Sequence, residues 1–293
     1  VKTAVAGSRV TIPFGKGNIK KQGMILNVFE AEITPKTKET ILKAQENGCL
    51  LVLASGRPTK GMLGLARELE MDKYHGLCVA YNGSKVVDVE TGEEVFNQQM
   101  SAELCKRILH HMKKFDVRPL IVKGDYAYVT DVYQHMVKFT HHGHEVEVNI
   151  MAHESHDNGY MLCEVKDLEE FCDVPLNKIL NIGDPEYLQA HYKEMAAPFL
   201  DEANSMITTP FYYEFTDKGI DKVAALDGVL QKRGYSKEEM IAFGDAQNDA
   251  TMLQYAKIGV AMGNAIPELK EIADDVTASC EEDGIAKSLE KWL

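Results

Sequence analysis

The sequence predicts an α/β protein: a doubly wound, mostly parallel sheet interrupted by an inserted α+β segment. Three observations predict it. Leu50–Ala54 and Ile258–Met262 are continuous apolar runs of the kind buried on both faces of a parallel sheet. Stretches of helical length separate such runs from the next strand, giving strand–helix–strand repeats. Between about Ser84 and Thr216 that alternation gives way to a hairpin, helices and short strands, and afterwards it resumes.

The chain has 293 residues, enough for a full core and for two domains. Its formal charge of −13 argues against a nucleic-acid-binding body, because phosphate backbones reward Lys and Arg. No run reaches the roughly 18–20 apolar residues of a membrane span, and no secretory signal is read at the start. The six cysteines are scattered without CxxC spacing, which suits free thiols in a reducing, cytoplasmic setting.

Residues 1–29 contain no Asp or Glu but carry Lys2, Arg9, Lys16, Lys20 and Lys21. Gly15-Lys16-Gly17-Asn18 lacks the spacing of a phosphate-binding loop. The segment reads as a basic arm, as an organellar-type targeting peptide, or as an altered stretch. Ala4–Ala6 and Val10–Phe14 retain the composition of short strands.

From Ile33 onward the elements follow in order. Thr34-Pro35 caps a helix over Lys36–Asn47, with Gly48 at its exit. The strand Leu50–Ala54 ends at Ser55-Gly56-Arg57-Pro58. A helix over Lys60–Glu70 and a strand over Leu77–Tyr81 follow, ending at Asn82-Gly83. Ser55 reads either as a hydroxyl bonding an anion at a strand's carboxyl end or as the N-cap of the next helix. Arg57 reads as a phosphate contact or as a surface cation.

The inserted segment opens with a hairpin, Lys85–Val89 and Glu94–Phe96 around Glu90-Thr91-Gly92. A helix over Ala102–Phe115 and strands over Pro119–Val122 and Tyr126–Val129 come next. Six of the ten histidines fall between positions 135 and 156, without the spacing of a zinc site, and read as structural or surface groups.

Alternation returns at Asp217. Lys222 opens a helix, where the dipole disfavours a cation, and reads either as the cation of an anion site or as an ordinary surface lysine. Ser236 and Glu239 form a capping box. The strand Ile241–Phe243 then runs into Gly244-Asp245-Ala246-Gln247-Asn248-Asp249, where Asp245, Asn248 and Asp249 offer three potential oxygen ligands within five positions. They suit a hard cation such as magnesium, or they cap the following helix. The last buried strand ends at Gly263-Asn264-Ala265, followed by outer helices and an edge strand over Val276–Ala278.

Taken jointly, Ser55, Asn82, Asp245 with Asn248 and Asp249, and Asn264 all lie at strand ends, beside Lys222 on a neighbouring helix. A hydroxyl, a cation and a carboxylate pair on one sheet edge make a site for phosphate plus magnesium. The motifs Leu53-Ala54-Ser55-Gly56-Arg57-Pro58, Tyr81-Asn82-Gly83, Gly219-Ile220-Asp221-Lys222, Gly244–Asp249 and Val260–Ala265 resemble the Cof-type, sugar-phosphate-phosphatase branch of the haloacid dehalogenase superfamily, in order and at family spacing from Ile33 to Leu293. The resemblance implies a Rossmann-like core, residues 1–84 and 216–293, with an α/β cap that sets substrate specificity inserted at 85–215. It implies that Ser55 bonds the transferring phosphoryl group, Lys222 neutralises it, Asp245 ligates magnesium and Asp249 supports the metal's water shell. Gly56, Arg57, Asn82, Asn248 and Asn264 are the implied substrate contacts, and the implied partner is a small phosphorylated metabolite, with no nucleic acid or membrane.

The family opens on a strand ending in Asp-x-Asp-Gly-Thr, whose two acids are the nucleophile and the general acid/base. Counting back from Ile33 places Lys20 and Gln22 at those positions, and neither can form an acyl-phosphate or shuttle that proton. Two functions are therefore expected in competition: a magnesium-dependent phosphatase of small phosphomonoesters, and a phospho-ligand-binding protein of the same fold without turnover. A third reading has the basic first segment docking an acidic partner.

Overall fold

The computed structural model describes residues 3–6, 33–133, 136–141 and 144–291. Along the chain, β1 (Thr3–Ala6) precedes α1 (Pro35–Glu46), β2 (Leu50–Ala54), α2 (Thr59–Glu68), β3 (Leu77–Ala80), β4 (Lys85–Asp88) and β5 (Glu94–Asn97). Then come α3 (Ala102–Met112), β6 (Arg118–Lys123), β7 (Tyr126–Val129), β8 (Met136–His141), β9 (His144–Asn149), α4 (Ile150–Asp157) and β10 (Met161–Glu164). They are followed by α5 (Leu168–Phe171), β11 (Ile179–Ile182), α6 (Pro185–Ala196), β12 (Ala203–Thr209) and β13 (Tyr212–Asp217). The chain closes with α7 (Lys222–Lys232), β14 (Met240–Gly244), α8 (Ala250–Tyr255), β15 (Ile258–Ala261), α9 (Pro267–Ile272), β16 (Asp275–Val276) and α10 (Gly284–Leu289).

These elements form two compact units: Val1–Asn97 with Asp221–Leu293, and Gln98–Ile220. The first holds an eight-stranded sheet in the order β16-β15-β14-β1-β2-β3-β4-β5, parallel from β16 to β3 and antiparallel beyond. Every residue of β2 and β14 is buried, which explains their unbroken apolar sequence. Val52, Leu77, Val79, Ile241, Phe243 and Val260 centre one continuous core, each contributing roughly 1.5–3 kcal/mol through burial. Alternating strands and helices in this order make a doubly wound, Rossmann-like fold.

Two expectations change here. The hairpin β4–β5 extends the large sheet by pairing with β3, so residues 85–97 lie in the first unit, whereas the insertion was expected from 85; at the other end 216–220 lie in the second. Thr3–Ala6 occupies the centre of the sheet, paired with both β2 and β14, and so is not part of a basic arm. Lys20 and Gln22, where counting back from Ile33 puts the end of the family's first strand, lie outside the described residues.

The second unit is built on a six-stranded sheet, β10-β7-β6-β11-β13-β12, with β8–β9 as a separate hairpin. Period-two alternation divides its apolar residues between two clusters. Ile121, Ile179, Tyr213 and Phe215 pack with Leu104, Ile108 and Leu188 from the helices. Their sequence neighbours Leu120, Leu180 and Tyr212 pack with Ile150 and Met151 of α4. Of the clustered histidines, His153 pairs with Asp157 at 3.4 Å. Among the described residues no group of three or more His, Cys, Asp or Glu converges on a metal-sized site, and no helix is long and apolar enough to cross a membrane.

Candidate active site at the carboxyl edge of the first unit

The parallel strands of the first unit point their carboxyl ends to one edge, where open α/β sheets bind ligands. Ser55 follows β2. Its N–H donates to the Val79 carbonyl at 2.8 Å, its carbonyl accepts from Asn82 N–H at 3.0 Å, and its Oγ accepts from Arg57 N–H at 3.1 Å. The residue that caps α2 is Pro58, so Ser55 does not serve as that helix's N-cap. Its side chain is fixed instead by a tight turn of its own, with the hydroxyl hydrogen left to be donated. Arg57 is half-buried, and its carbonyl accepts from Tyr81 N–H at 3.0 Å.

The turn after β3 is unusual in its backbone. Tyr81 and Asn82 adopt left-handed conformations, at φ 52° and 58°. Gly83 follows at φ 109°, and a Cβ there would lie 2.0 Å from the Asp221 carbonyl oxygen. Only glycine permits that approach, and it brings the start of α7 against the turn. Gly56 packs similarly close to Asn82: a Cβ on it would be 3.1 Å from Asn82 Oδ1. The same Oδ1 accepts from Asn248 Nδ2 at 3.1 Å, joining the β3 turn to the segment after β14.

α7 begins with a strong cap. Asp221 accepts from the N–H groups of Val223 and Ala224 at 2.7 and 2.8 Å, which offsets the first-turn cation that follows. That cation, Lys222, is buried, and its Nζ lies 2.6 Å from Asp249 Oδ1. Asp249 Oδ2 accepts from the N–H groups of Asp245 and Ala246 at 3.0 and 3.2 Å. Gly244 makes room for this carboxylate, since a Cβ on it would stand 2.4 Å from Asp249 Cβ. Asp249 thus spends both oxygens on protein partners.

Asp245 is held differently. It is buried to 8% exposure, its Oδ2 accepts from Asn264 Nδ2 at 3.2 Å, and its carbonyl accepts from Ile266 N–H at 3.1 Å. Cys280 N–H donates to Asn264 Oδ1 at 3.0 Å. The Cys280 thiol is close by: burial raises its pKa, and the Asp245 carboxylate adds to the rise.

All of the residues expected at the site lie on this one edge. Ser55, Gly56, Asn82, Asn248, Asp249, Lys222, Asp245 and Asn264 are linked by hydrogen bonds, close packing or direct adjacency, and Arg57 adjoins Ser55 through its backbone. The capping role weighed for the Asp245–Asp249 stretch goes to Asp249, whose Oδ2 accepts from the Asp245 and Ala246 N–H groups and closes the turn. Magnesium is satisfied by one or two carboxylates with water and substrate phosphate completing the shell. Asp245 suits that role; Asp249, enclosed by Lys222 and two N–H groups, suits support behind it. Sequence reasoning missed Cys280, and placed Gly83 in the Tyr81-Asn82-Gly83 motif without seeing its contact with Asp221. Gly83 has a signal in the Asn-Gly dipeptide, but the contribution of Cys280 is a backbone N–H and leaves none.

Fold and edge together define an α/β protein with a candidate phosphate site at the carboxyl ends of its parallel strands. The chain belongs to the haloacid dehalogenase-like hydrolases, whose sequence pattern it matches over residues 24–289, and within them to the Cof-type phosphatases. It is 30% identical to the 5-amino-6-(5-phospho-D-ribitylamino)uracil phosphatase YcsE of Bacillus subtilis, with 94% of each chain covered. It is 27% identical to the HMP-PP phosphatase of Klebsiella pneumoniae, with 88% of each covered. A haloacid dehalogenase-like hydrolase from Bacteroides thetaiotaomicron superposes with a TM-score of 0.82 at 28% identity, over 100% of this chain and 99% of that one.

Proposed function

We propose that this protein is a magnesium-dependent hydrolase of small phosphomonoesters, sugar phosphates among them, working at the edge lined by Ser55, Lys222 and Asp245. The observation that carries the proposal is the hydrogen-bonded connection running from the Asn82 turn through Asn248 and Asp249 to Lys222 and Asp245. It gathers a hydroxyl donor, a buried ammonium, an amide and a carboxylate where a phosphoryl group and a cation can be held together. Magnesium bound at Asp245 would offset charge on phosphoryl oxygens. Ser55 Oγ donates to a phosphoryl oxygen while Arg57 N–H holds it in place, with Asn248 after β14 and Lys222 at the start of α7 as the further phosphate partners. Gly56, Arg57 and Asn82 shape the phosphate's surroundings. The second unit serves as the cap that selects the substrate's organic part. The named substrates of the two relatives differ, which fits one phosphate site serving several leaving groups.

A second reading, binding of phosphorylated metabolites without turnover, is favoured by one observation. The sequence has no Asp before Asp72 and no acid of either kind before Glu30, so a carboxylate nucleophile from the first strand is lacking. Hydrolysis of p-nitrophenyl phosphate with and without magnesium separates the two. Turnover that disappears in Asp245→Ala supports the hydrolase. Magnesium-dependent binding of inorganic phosphate with no turnover supports the second reading, and neither turnover nor binding would remove both.

A further inference from the structure

Asn264 sits between the carboxylate of Asp245 and the backbone of a segment remote in the site, and its amide has two unlike ends. Cys280 N–H can only donate, so the atom facing it at 3.0 Å must be the amide oxygen. The amide nitrogen is thereby turned toward Asp245 Oδ2, 3.2 Å away. A flipped amide would set two donors against each other at Cys280 and two acceptors against each other at Asp245.

The rest of this corner is built to keep that geometry. Met262 N–H donates to the Gly244 carbonyl at 2.9 Å and Ile266 N–H to the Asp245 carbonyl at 3.1 Å, so the loop carrying Asn264 is pinned on both flanks to the strand end carrying Asp245. Gly263 N–H donates to the Ala278 carbonyl at 3.0 Å, and a Cβ on Gly263 would lie 2.6 Å from Ser279 N. That close approach delivers Cys280 N–H to Asn264. Lys270 Nζ closes the loop on the Gly263 carbonyl at 2.6 Å.

We propose that Asn264, oriented by the backbone N–H of Cys280, is a positioning residue that holds the Asp245 carboxylate in the attitude needed to take a magnesium ion, instead of a direct contact to substrate. The inference rests on the assignment of Asp245 as the magnesium ligand. Partners behind a ligating group of this kind are worth about 10–100-fold in metal affinity.

Two variants isolate the effect. Asn264→Ala removes the amide. Cys280→Pro removes only the orienting N–H and the thiol, and it fits the backbone: Cys280 is the first residue of a 3-10 turn, preceded by Ser279 in an extended conformation at φ −65°, ψ 165°. Cys280→Ala, which lacks the thiol but keeps the N–H, is its matched reference. Magnesium binding by calorimetry, on the full chain without substrate, is expected to weaken about tenfold in Asn264→Ala relative to wild type. It is expected to weaken several-fold in Cys280→Pro relative to Cys280→Ala, with thermal midpoints confirming folded protein. Binding of inorganic phosphate without magnesium should be unchanged in Asn264→Ala. Wild-type magnesium binding that survives intact in Asn264→Ala, or a loss confined to phosphate, overturns the proposal alone; wild-type binding that persists in Asp245→Ala, or is absent altogether, overturns the Asp245 assignment with it.

Discussion

Lys222 Nζ and Asp249 Oδ1 lie 2.6 Å apart with 1% and 0% of their side chains exposed. Removing one member of such a pair leaves an uncompensated buried charge. Lys222→Met is therefore expected to destabilise the fold by about 3–5 kcal/mol. Replacing both, as Lys222→Met with Asp249→Asn, removes both charges yet keeps an oxygen for the Asp245 and Ala246 N–H groups, and should recover part of that loss while phosphate binding stays lost. Urea unfolding of the two variants beside wild type checks the order.

Gly83 and Gly92 both have positive φ, yet they should respond very differently to a methyl group. At Gly92 nothing lies within 4 Å of the added Cβ, so Gly92→Ala meets only the left-handed backbone cost of about 1–2 kcal/mol. At Gly83 the Cβ meets the Asp221 carbonyl at 2.0 Å, and backbone must move. Gly83→Ala should cost about 3 kcal/mol or more and should weaken phosphate binding by shifting Lys222. Thermal unfolding and a phosphate titration of both variants test this.

The register of β1 makes a prediction about lost or restored chemistry. Ala6 pairs with Leu53 on one side and Phe243 on the other. Two residues beyond those partners come Ser55 and Asp245, and two beyond Ala6 in the sequence comes Ser8, which lies outside the described residues. If the register sets the chemistry, Ser8→Asp with Val10→Asp should raise magnesium-dependent hydrolysis of p-nitrophenyl phosphate by about a hundredfold or more over background, and Lys20→Asp with Gln22→Asp should not. The reverse result would return the nucleophile's place to residue 20.

Asp88 ties three segments together. It accepts from the N–H groups of Glu90 and Thr91 at 2.9 and 3.0 Å and from Arg233 Nη2 at 2.5 Å. Burial alone pushes its carboxyl up, but the Thr91 N–H and the Arg233 guanidinium outweigh that and hold its pKa below the ordinary value. A depressed carboxyl contributes stability that is present above its unfolded pKa, about 3.9, and is lost as pH falls through the lower folded value. Asp88→Asn should therefore cost about 1.5–3 kcal/mol at pH 7, with the gap to wild type closing below about pH 4. Unfolding curves across that pH range measure it.

Much of this was legible in the sequence because the signals were local. Thr34 caps α1 by accepting from Thr37 N–H, and β2 and β7 span the residues their composition marks. Ser236 and Glu239 close their capping box. Most candidate site residues were legible because they stand where an apolar run stops, and Lys222 because it is a cation in the first turn of a helix. What escaped was non-local. Lys85–Asp88 has a hairpin's pattern wherever it docks, and only its pairing with β3 assigns it to the first unit. Thr3–Ala6 is four residues long, too short to carry a period, and its place comes from two partners some fifty and two hundred forty positions away.

The same strand imposes an order on assembly. The two halves of the large sheet are made from opposite ends of the chain, β2 to β5 early and β14 to β16 late, and they meet only across β1. During synthesis the early half therefore presents an open edge, with β1's far side unpaired until residues 240–244 have emerged. The second unit is made in that interval and is complete within its own stretch, Gln98–Ile220, so it is positioned to fold first. The edge that carries the candidate site comes into being last, when the strand bearing Asp245 docks on β1 and closes the sheet.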